Sequence, residues 1–463
     1  MDTSDLGKVS VWPTSGLPSR ELTGIIRGIM EIPTPYAPQK ADSPPFSYPG
    51  MILDPMLGRM ADGLTVKQIN HIGMHTLETP GETGFPTQKM EREAVWMAAS
   101  VIGGSPETVD GYFCGGGTEA NDWALWIGHK WLRLKDTVRS PPRRKTIVFM
   151  TPVTHYSIHK TVENLAIGKL GVTKCPRCKE KHIPLPVTKS NIALVGMDAH
   201  GEMLVDDLAR LWREFYNQGY RRFLLVANAG STVLGSVDPV NAICDFVHHV
   251  HASTEARIFV HVDAAFGGFT IPFMDPKNAQ WFANPEVMTV TFDADKMGHL
   301  PYPAGLALCR KNLTKETITR RVEYVSGHSD DTVCGSRSAI AGILAYYKWQ
   351  QLGFEGQHAF VAECIRHRDQ LVGLITERLH PNQASVICAH PAVNQLGLRV
   401  PSRCIGDHPA LAQFHPRFDI FPSDPARVDS CPVTVYKILV MPHTFPYLER
   451  FADALATAIK DTP

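Results

Sequence analysis

The middle of this chain alternates short β-branched runs with amphipathic helical segments, and that alternation leaves few architectures open. Thr146-Ile147-Val148-Phe149-Met150, Phe223-Leu224-Leu225-Val226-Ala227, Ile258-Phe259-Val260-His261-Val262 and Val287-Met288-Thr289-Val290-Thr291 are short and bulky, as strands buried on both faces of a parallel sheet must be. Helix-patterned segments lie between them, from Glu119 to Trp131, Ser157 to Ile167 and Asp238 to His251. Strands linked through helices return to their sheet by right-handed crossovers, so the pattern predicts an α/β sheet covered by helices. A long helical stretch from Ser338 to Leu379 ends that regime. Val433 to Val440 then reads as a strand and Pro446 to Ile459 as a last helix, which predicts a smaller C-terminal α+β domain. A chain of 463 residues is long enough for both. The seven prolines from Ile32 to Pro55 exclude a helix or a central strand there. With Tyr36, Phe46 and Tyr48 as apolar anchors, that stretch predicts an ordered arm.

Charge and cysteine usage narrow the function. Lys+Arg and Asp+Glu both number 46, so no basic surplus points to nucleic acid or an anionic membrane. A small molecule bound at a local site is the expected partner. The ten cysteines are scattered, and several sit in apolar runs, as Cys309 does after Gly305-Leu306-Ala307-Leu308. That usage suits a reducing compartment. With no basic stretch leading into an apolar run at the N-terminus, and no long uninterrupted apolar segment, the expectation is a cytoplasmic protein without a membrane span.

Four segments carry chemistry. Cys114-Gly115-Gly116-Gly117-Thr118-Glu119-Ala120-Asn121 opens onto a helix; glycines, unpaired helix N–H groups and a hydroxyl together suit a phosphate. His155-Tyr156-Ser157 follows the strand ending at Met150, on the edge where α/β sheets bind ligands, and an imidazole there can stack on a flat heterocycle. Val260-His261-Val262-Asp263-Ala264-Ala265 ends a strand on an acid. A buried acid needs a positive partner, which a protonated pyridine nitrogen would supply, and Ala265 is small enough for a ring to lie against it. Asp293-Ala294-Asp295-Lys296-Met297-Gly298 places a lysine after the strand Val287–Thr291. Shielded by apolar neighbours, such an amine can lose its proton and form an imine.

These residues, with Pro301-x-Pro303-Ala304-Gly305, resemble the motifs of the group II pyridoxal-5'-phosphate (PLP) amino-acid decarboxylases of fold type I. Two branches look most similar, the bacterial histidine and plant serine decarboxylases and the archaeal tyrosine/aspartate decarboxylases. The likeness runs from about Ile69 to His443. It implies an aspartate-aminotransferase-like fold with a central, mostly parallel seven-stranded sheet. It further implies an N-terminal arm over 1–68, a PLP-binding domain over 69–340 and a small α+β domain over 341–463. By resemblance, Gly116, Gly117 and Thr118 hold the phosphate and His155 stacks on the ring. Asp263 binds the pyridine nitrogen, Ala265 backs the ring, Thr232 lies near the ring oxygen and Lys296 carries the internal aldimine. Gly335 and Ser336 reach the phosphate of a neighbouring subunit, because this fold builds its site at a homodimer interface. Tyr324 to Asp331 forms a mobile loop from which Tyr324 and His328 are candidate proton donors.

The implied reaction is decarboxylation of an L-amino acid to its amine and carbon dioxide. Carbon–carbon cleavage, as in the sphingosine-phosphate lyases, and a non-catalytic relative are the alternatives. Two departures stand out. Asp295 replaces the family's usual histidine before the lysine, which puts an acid near the phosphate unless it turns away or finds a cation. Cys175-Pro176-Arg177-Cys178, with His182, has metal-ligand spacing and reads either as a structural zinc site or as an ordinary loop of free thiols. His71, Gly73 and His75 fall where a substrate pocket would draw residues, although His71 and His75 read more simply as surface histidines.

Overall fold

The computed structural model describes residues 69–77, 86–135, 143–174, 181–186, 190–323, 329–427 and 432–462, the helix 55–65, Ser430 and isolated residues between 12 and 67. Its framework is a seven-stranded sheet. The elements are β1 (Asn70–Ile72), α1 (Pro86–Ser100), β2 (Val109–Cys114), α2 (Gly117–Leu134), β3 (Arg143–Met150), α3 (Tyr156–Asn164), β4 (Ile192–Leu194), β5 (Tyr220–Asn228), α4 (Val240–Ser253), β6 (Arg257–Asp263), β7 (Val287–Asp293), β8 (Gly305–Arg310), β9 (Ser336–Ser338), α5 (Ile340–Arg378), β10 (Ser385–Cys388), β11 (Gln395–Val400), β12 (Arg417–Pro422), β13 (Pro432–Leu439) and α6 (Leu448–Asp461). The sheet order is β2-β8-β7-β6-β5-β3-β4. Parallel pairing joins β7 to β6, and β3 to both β5 and β4. β8 runs antiparallel to both β2 and β7, so the sheet is mixed.

Contacts divide the chain into two units, one built from 1–39, 52–135 and 259–360, the other from 40–51, 136–258 and 361–463. In the first, α2 lays Ala120, Trp123, Ala124, Ile127 and Gly128 inward. Gly128 is required because a Cβ there would meet the Phe259 ring at 2.7 Å. Helix α2 begins where Gly116 takes φ 137°, a backbone conformation that side chains disfavour. A Cβ on Gly305 would run into that same Gly116 backbone. The glycine turn and the start of β8 are thus in contact through glycine alone.

The second unit contains a four-stranded antiparallel sheet, β10-β11-β13-β12. Leu396 and Leu398 of β11, Tyr436 and Ile438 of β13, and Phe451, Leu455 and Ala458 of α6 are buried in one cluster. Each such large side chain contributes about 1.5–3 kcal/mol on burial. Phe46, one of the three aromatic anchors expected in the proline-rich arm, is buried in this cluster and stacks on Phe451 with ring centroids 4.3 Å apart. Most of the rest of that arm lies outside the described residues. Leu170–Lys174 and Lys181–Pro186 pair antiparallel; Cys175 and Cys178 fall between them, outside the described residues, as does the side chain of His182.

Candidate active site

The first unit gathers an ammonium group, three carboxyl groups and an uncapped helix start. Lys296 follows β7, and its Nζ lies 2.8 Å from Asp293 Oδ2. Burial works against its charge, but Asp293 first, then Asp263 and Asp295, outweigh burial and hold the ammonium above its ordinary range. This corrects the expectation of an amine shielded by apolar neighbours and ready to lose its proton, because acids surround it. The glycine turn adjoins this group. A Cβ on Gly117 would stand 3.0 Å from Asp293 Oδ2 and 3.2 Å from Ala265 Cβ. No side chain caps α2 at Gly116, and Thr118 in its first turn is exposed. Such a start leaves N–H groups and a partial positive charge open to an anion.

Asp263, at the end of β6, is buried and fixed on both oxygens. The Ala265 N–H donates to Oδ1 at 3.1 Å and the Asn121 side-chain amide donates to Oδ2 at 2.9 Å. Asn121 in turn accepts from His261 Nε2 at 3.0 Å, and His261 Nδ1 lies 2.9 Å from Thr289 Oγ1. Burial pushes His261 down to about 4, so the imidazole is neutral, with Nε2 donating and Nδ1 accepting. Asn121 was legible as part of the glycine motif but not as the partner of Asp263. The available signal was a polar residue on the buried face of α2.

Asp295 has turned toward the segment after it. Its Oδ2 accepts from the Ala304 N–H at 3.1 Å, while Oδ1 is buried without a hydrogen-bond donor. This answers the question raised by the missing histidine in part, since the carboxyl finds a backbone donor rather than a side-chain cation.

His155 and Thr232 belong to the second unit. His155 caps α3, its Nδ1 accepting from Ser157 Oγ at 2.8 Å. Thr232 is half-buried, and its carbonyl accepts from Gln395 Nε2 at 2.9 Å. Gly335 precedes β9, and Ser336 is exposed on it, with β9 paired antiparallel to β1. Tyr324 and His328 lie outside the described residues.

His71 and His75 are buried, contrary to their reading as surface histidines. His71 Nδ1 is hydrogen-bonded to Glu91 Oε2, and His75 Nδ1 lies 2.9 Å from the same oxygen without hydrogen-bonding geometry. The other carboxylate oxygen, Oε1, meets Arg337 Nη2 at 2.7 Å and the Phe113 N–H at 3.1 Å. Burial alone would raise Glu91, yet Arg337 and the two imidazoles hold it well below the usual carboxylate range. The three ligand atoms of His71, His75 and Glu91 lie within 4.8 Å of one another. Because Arg337 already neutralises Glu91, a divalent cation would add uncompensated buried charge. That balance favours a hydrogen-bonded network over a metal ion.

The class this fold defines is that of the PLP proteins of fold type I. The chain belongs to the pyridoxal-dependent decarboxylase family, whose conserved domain matches residues 46–395. It is 28% identical over 307 residues to a tryptophan decarboxylase of Clostridium sporogenes, covering 66% of each protein. It is also 28% identical over 287 residues to a histidine decarboxylase of Mesorhizobium japonicum, covering 62% of this chain and 66% of that one. The chain thus spans just under two thirds of the length of these curated relatives. Among solved structures it resembles an L-methionine decarboxylase from Streptomyces, with TM-score 0.67, 19% identity and coverage of 90% and 91%. A sphingosine-1-phosphate lyase from Burkholderia pseudomallei has TM-score 0.65, 15% identity and coverage of 97% and 92%. At such identities these structures establish the fold alone, and the fold is common to decarboxylases and a carbon–carbon lyase.

Proposed function

We propose that this protein decarboxylates an L-amino acid to the corresponding amine, with Lys296 as the residue that holds PLP. The observation that carries this reading is the position of Lys296 within the acid group of Asp263 and Asp293, beside the uncapped start of α2. The residues fit the cofactor: the open turn at Gly116, Gly117 and Thr118 suits its phosphate, and Ala265 leaves a flat wall next to it. Asp263, secured by Asn121 and Ala265, would keep a proton on the ring nitrogen. When bound, PLP supplies an electron-withdrawing ring that takes up the electrons left as carbon dioxide departs.

The chain's own work is positioning and proton handling. His155 would lie on the ring face and Thr232 near the ring oxygen. Asn121 and His261 keep the Asp263 carboxylate oriented. Tyr324 and His328 are the proposed acids that return a proton to Cα. Gly335 and Ser336 would complete the phosphate site of a partner in a homodimer. The organisation proposed for this chemistry is an arm over 1–68, a cofactor domain over 69–340 and a small domain over 341–463, in a cytoplasmic enzyme. Among the described residues no helix is long and apolar enough to cross a membrane. Cys175, Cys178 and His182 offer three ligands for a structural zinc, which elemental analysis of the purified protein would detect.

A panel of L-amino acids, followed by mass spectrometry of the amine and measurement of released carbon dioxide, tests the reading. Amine formation from at least one member, lost by at least about a hundredfold in Lys296→Ala, is expected. Aldehyde release from a β-hydroxy amine with no amine formed from any amino acid would instead establish the lyase reaction.

A further inference from the structure

Asp295 and Asp293 flank the turn that carries Lys296, and both are buried. They stand two positions apart on one tight turn, and the charge of Asp293 acts directly on the Asp295 carboxyl. Each leaves one buried oxygen, Oδ1 in both cases, with no donor. Two carboxylates cannot satisfy each other without a proton, because a carboxylate only accepts. The remaining oxygens are already committed, Asp293 Oδ2 to Lys296 Nζ at 2.8 Å and Asp295 Oδ2 to the Ala304 N–H at 3.1 Å. A single proton on Asp295, donated to Asp293, resolves the arrangement.

That proton matters for whatever binds at the glycine turn. Asp293 Oδ2 stands 3.0 Å from the place a Cβ on Gly117 would take, so the carboxyl pair borders the start of α2. The titratable groups around it are Lys296 on the same turn, Asp263 at the end of β6 and the Cys114 thiol at the end of β2, which burial first and Asp293 among its neighbours push up and so keep neutral; the segment leading into β8 contributes the Ala304 N–H. Fully ionised, the pair brings two negative charges beside an anion site with Lys296 as the nearest counter-charge. Holding one proton, it brings one. We propose that Asp295 is a proton-carrying acid that hydrogen-bonds Asp293, keeps the phosphate cradle from acquiring a second negative charge, and so makes phosphate-ester affinity fall as pH rises. This rests on the PLP reading above and adds a residue-specific control to it. Burial first, and then Asp293, push the Asp295 carboxyl up to about 7, which places the loss of the proton near neutrality.

The test uses the full chain and pyridoxine 5'-phosphate, which has the cofactor's ring and phosphate but cannot react with Lys296. Its affinity is measured from pH 6.5 to 8.5 for the wild type and for Asp295→Asn. The ester's own ionisation is common to both proteins and cancels in the comparison. Wild-type affinity should weaken by roughly tenfold across that range, as one linked proton requires, while Asp295→Asn stays nearly flat. Parallel profiles would overturn the proposal. Should Asp295→Asn not fold, Asp295→Ser serves in its place; with no group that titrates in this range, it too should lack the loss of affinity above pH 7. A separate titration with PLP distinguishes the two levels. Absence of any Lys296-dependent visible absorbance sinks the cofactor reading itself, whereas a normal band with parallel profiles sinks only the role of Asp295.

Discussion

The side-chain amide of Asn121 reaches from the first turn and a half of α2 to Asp263 Oδ2, 2.9 Å away at the end of β6. Through its carbonyl oxygen the same side chain accepts from His261, which is itself tied to Thr289. Four residues from α2, β6 and β7 thus form one relay whose last member is the acid expected under the cofactor ring. The relay fixes the His261 tautomer and orients the Asp263 carboxylate.

Replacing Asn121 by Ala should therefore act on cofactor binding before it acts on folding. Asp263 Oδ2 and His261 Nε2 each lose a partner, and each lost buried hydrogen bond costs about 1–3 kcal/mol. Part of that cost falls on cofactor affinity, which should weaken about tenfold in equilibrium dialysis. Unchanged affinity alongside a lowered melting temperature would show that the relay serves the fold only.

Gly305→Ala tests whether the glycine turn depends on close packing with β8. The added methyl meets the Gly116 backbone, which cannot give way as a flexible side chain can. Overpacking of this kind costs about 1–3 kcal/mol. The displaced atoms belong to the turn that opens α2, so the affinity for pyridoxine 5'-phosphate should fall together with the melting temperature. A variant that melts earlier but binds the ester normally would separate the turn from the phosphate site.

What the sequence disclosed follows the range of the interactions involved. Lys296, Asp263 and the glycine turn have local signatures, because a reactive or charged group at a strand end is unusual by itself. Asn121 to His261 and Glu91 to Arg337 join residues 140 and 246 positions apart, and nothing in either local stretch announces its partner. The direction of β8 was equally hidden, since a buried strand such as Gly305–Arg310 reads the same whether its neighbours run parallel or antiparallel. The apolar shielding expected for Lys296 failed for a related reason. Asp293 and Asp295 are near in sequence, but only the turn after β7 determines that Asp293 faces the ammonium and Asp295 faces Ala304.

The Glu91–Arg337 pair should be the most costly single interaction to break in the first unit. Arg337→Met leaves a buried carboxylate without its main counter-charge, and removing one partner of such a pair costs about 3–5 kcal/mol. The double variant Glu91→Met/Arg337→Met should recover part of that loss, because no ion is then left unpaired. Glu91 is held below its ordinary range, so its contribution is present above the unfolded carboxylate range and disappears as pH falls through the folded value. Chemical denaturation of the two single variants and the double variant measures the coupling; additive losses would show that the ion pair contributes nothing specific.

His299 gives the acid side of the stability profile a testable origin. It adopts φ 65°, its Nε2 donates to Gln357 Oε1 at 2.9 Å, and its ring packs on Phe360 with centroids 4.4 Å apart. Burial, and then Lys348, push it down to about 3 from an unfolded value of 6.5. Between those values the unfolded chain binds a proton that the folded chain refuses, so stability falls as pH drops below 6.5, by about 1.4 kcal/mol per unit. His299→Asn keeps a residue that tolerates positive φ and removes the titration. The variant should be less stable than the wild type at neutral pH because the ring contact is gone. Its deficit should then narrow by roughly 1.4 kcal/mol for each unit of acidification below pH 6.5. Denaturation midpoints at neutral pH and about one and two units lower measure this, and a deficit that stays constant with pH would show that the folded protein protonates His299 as readily as the unfolded chain does.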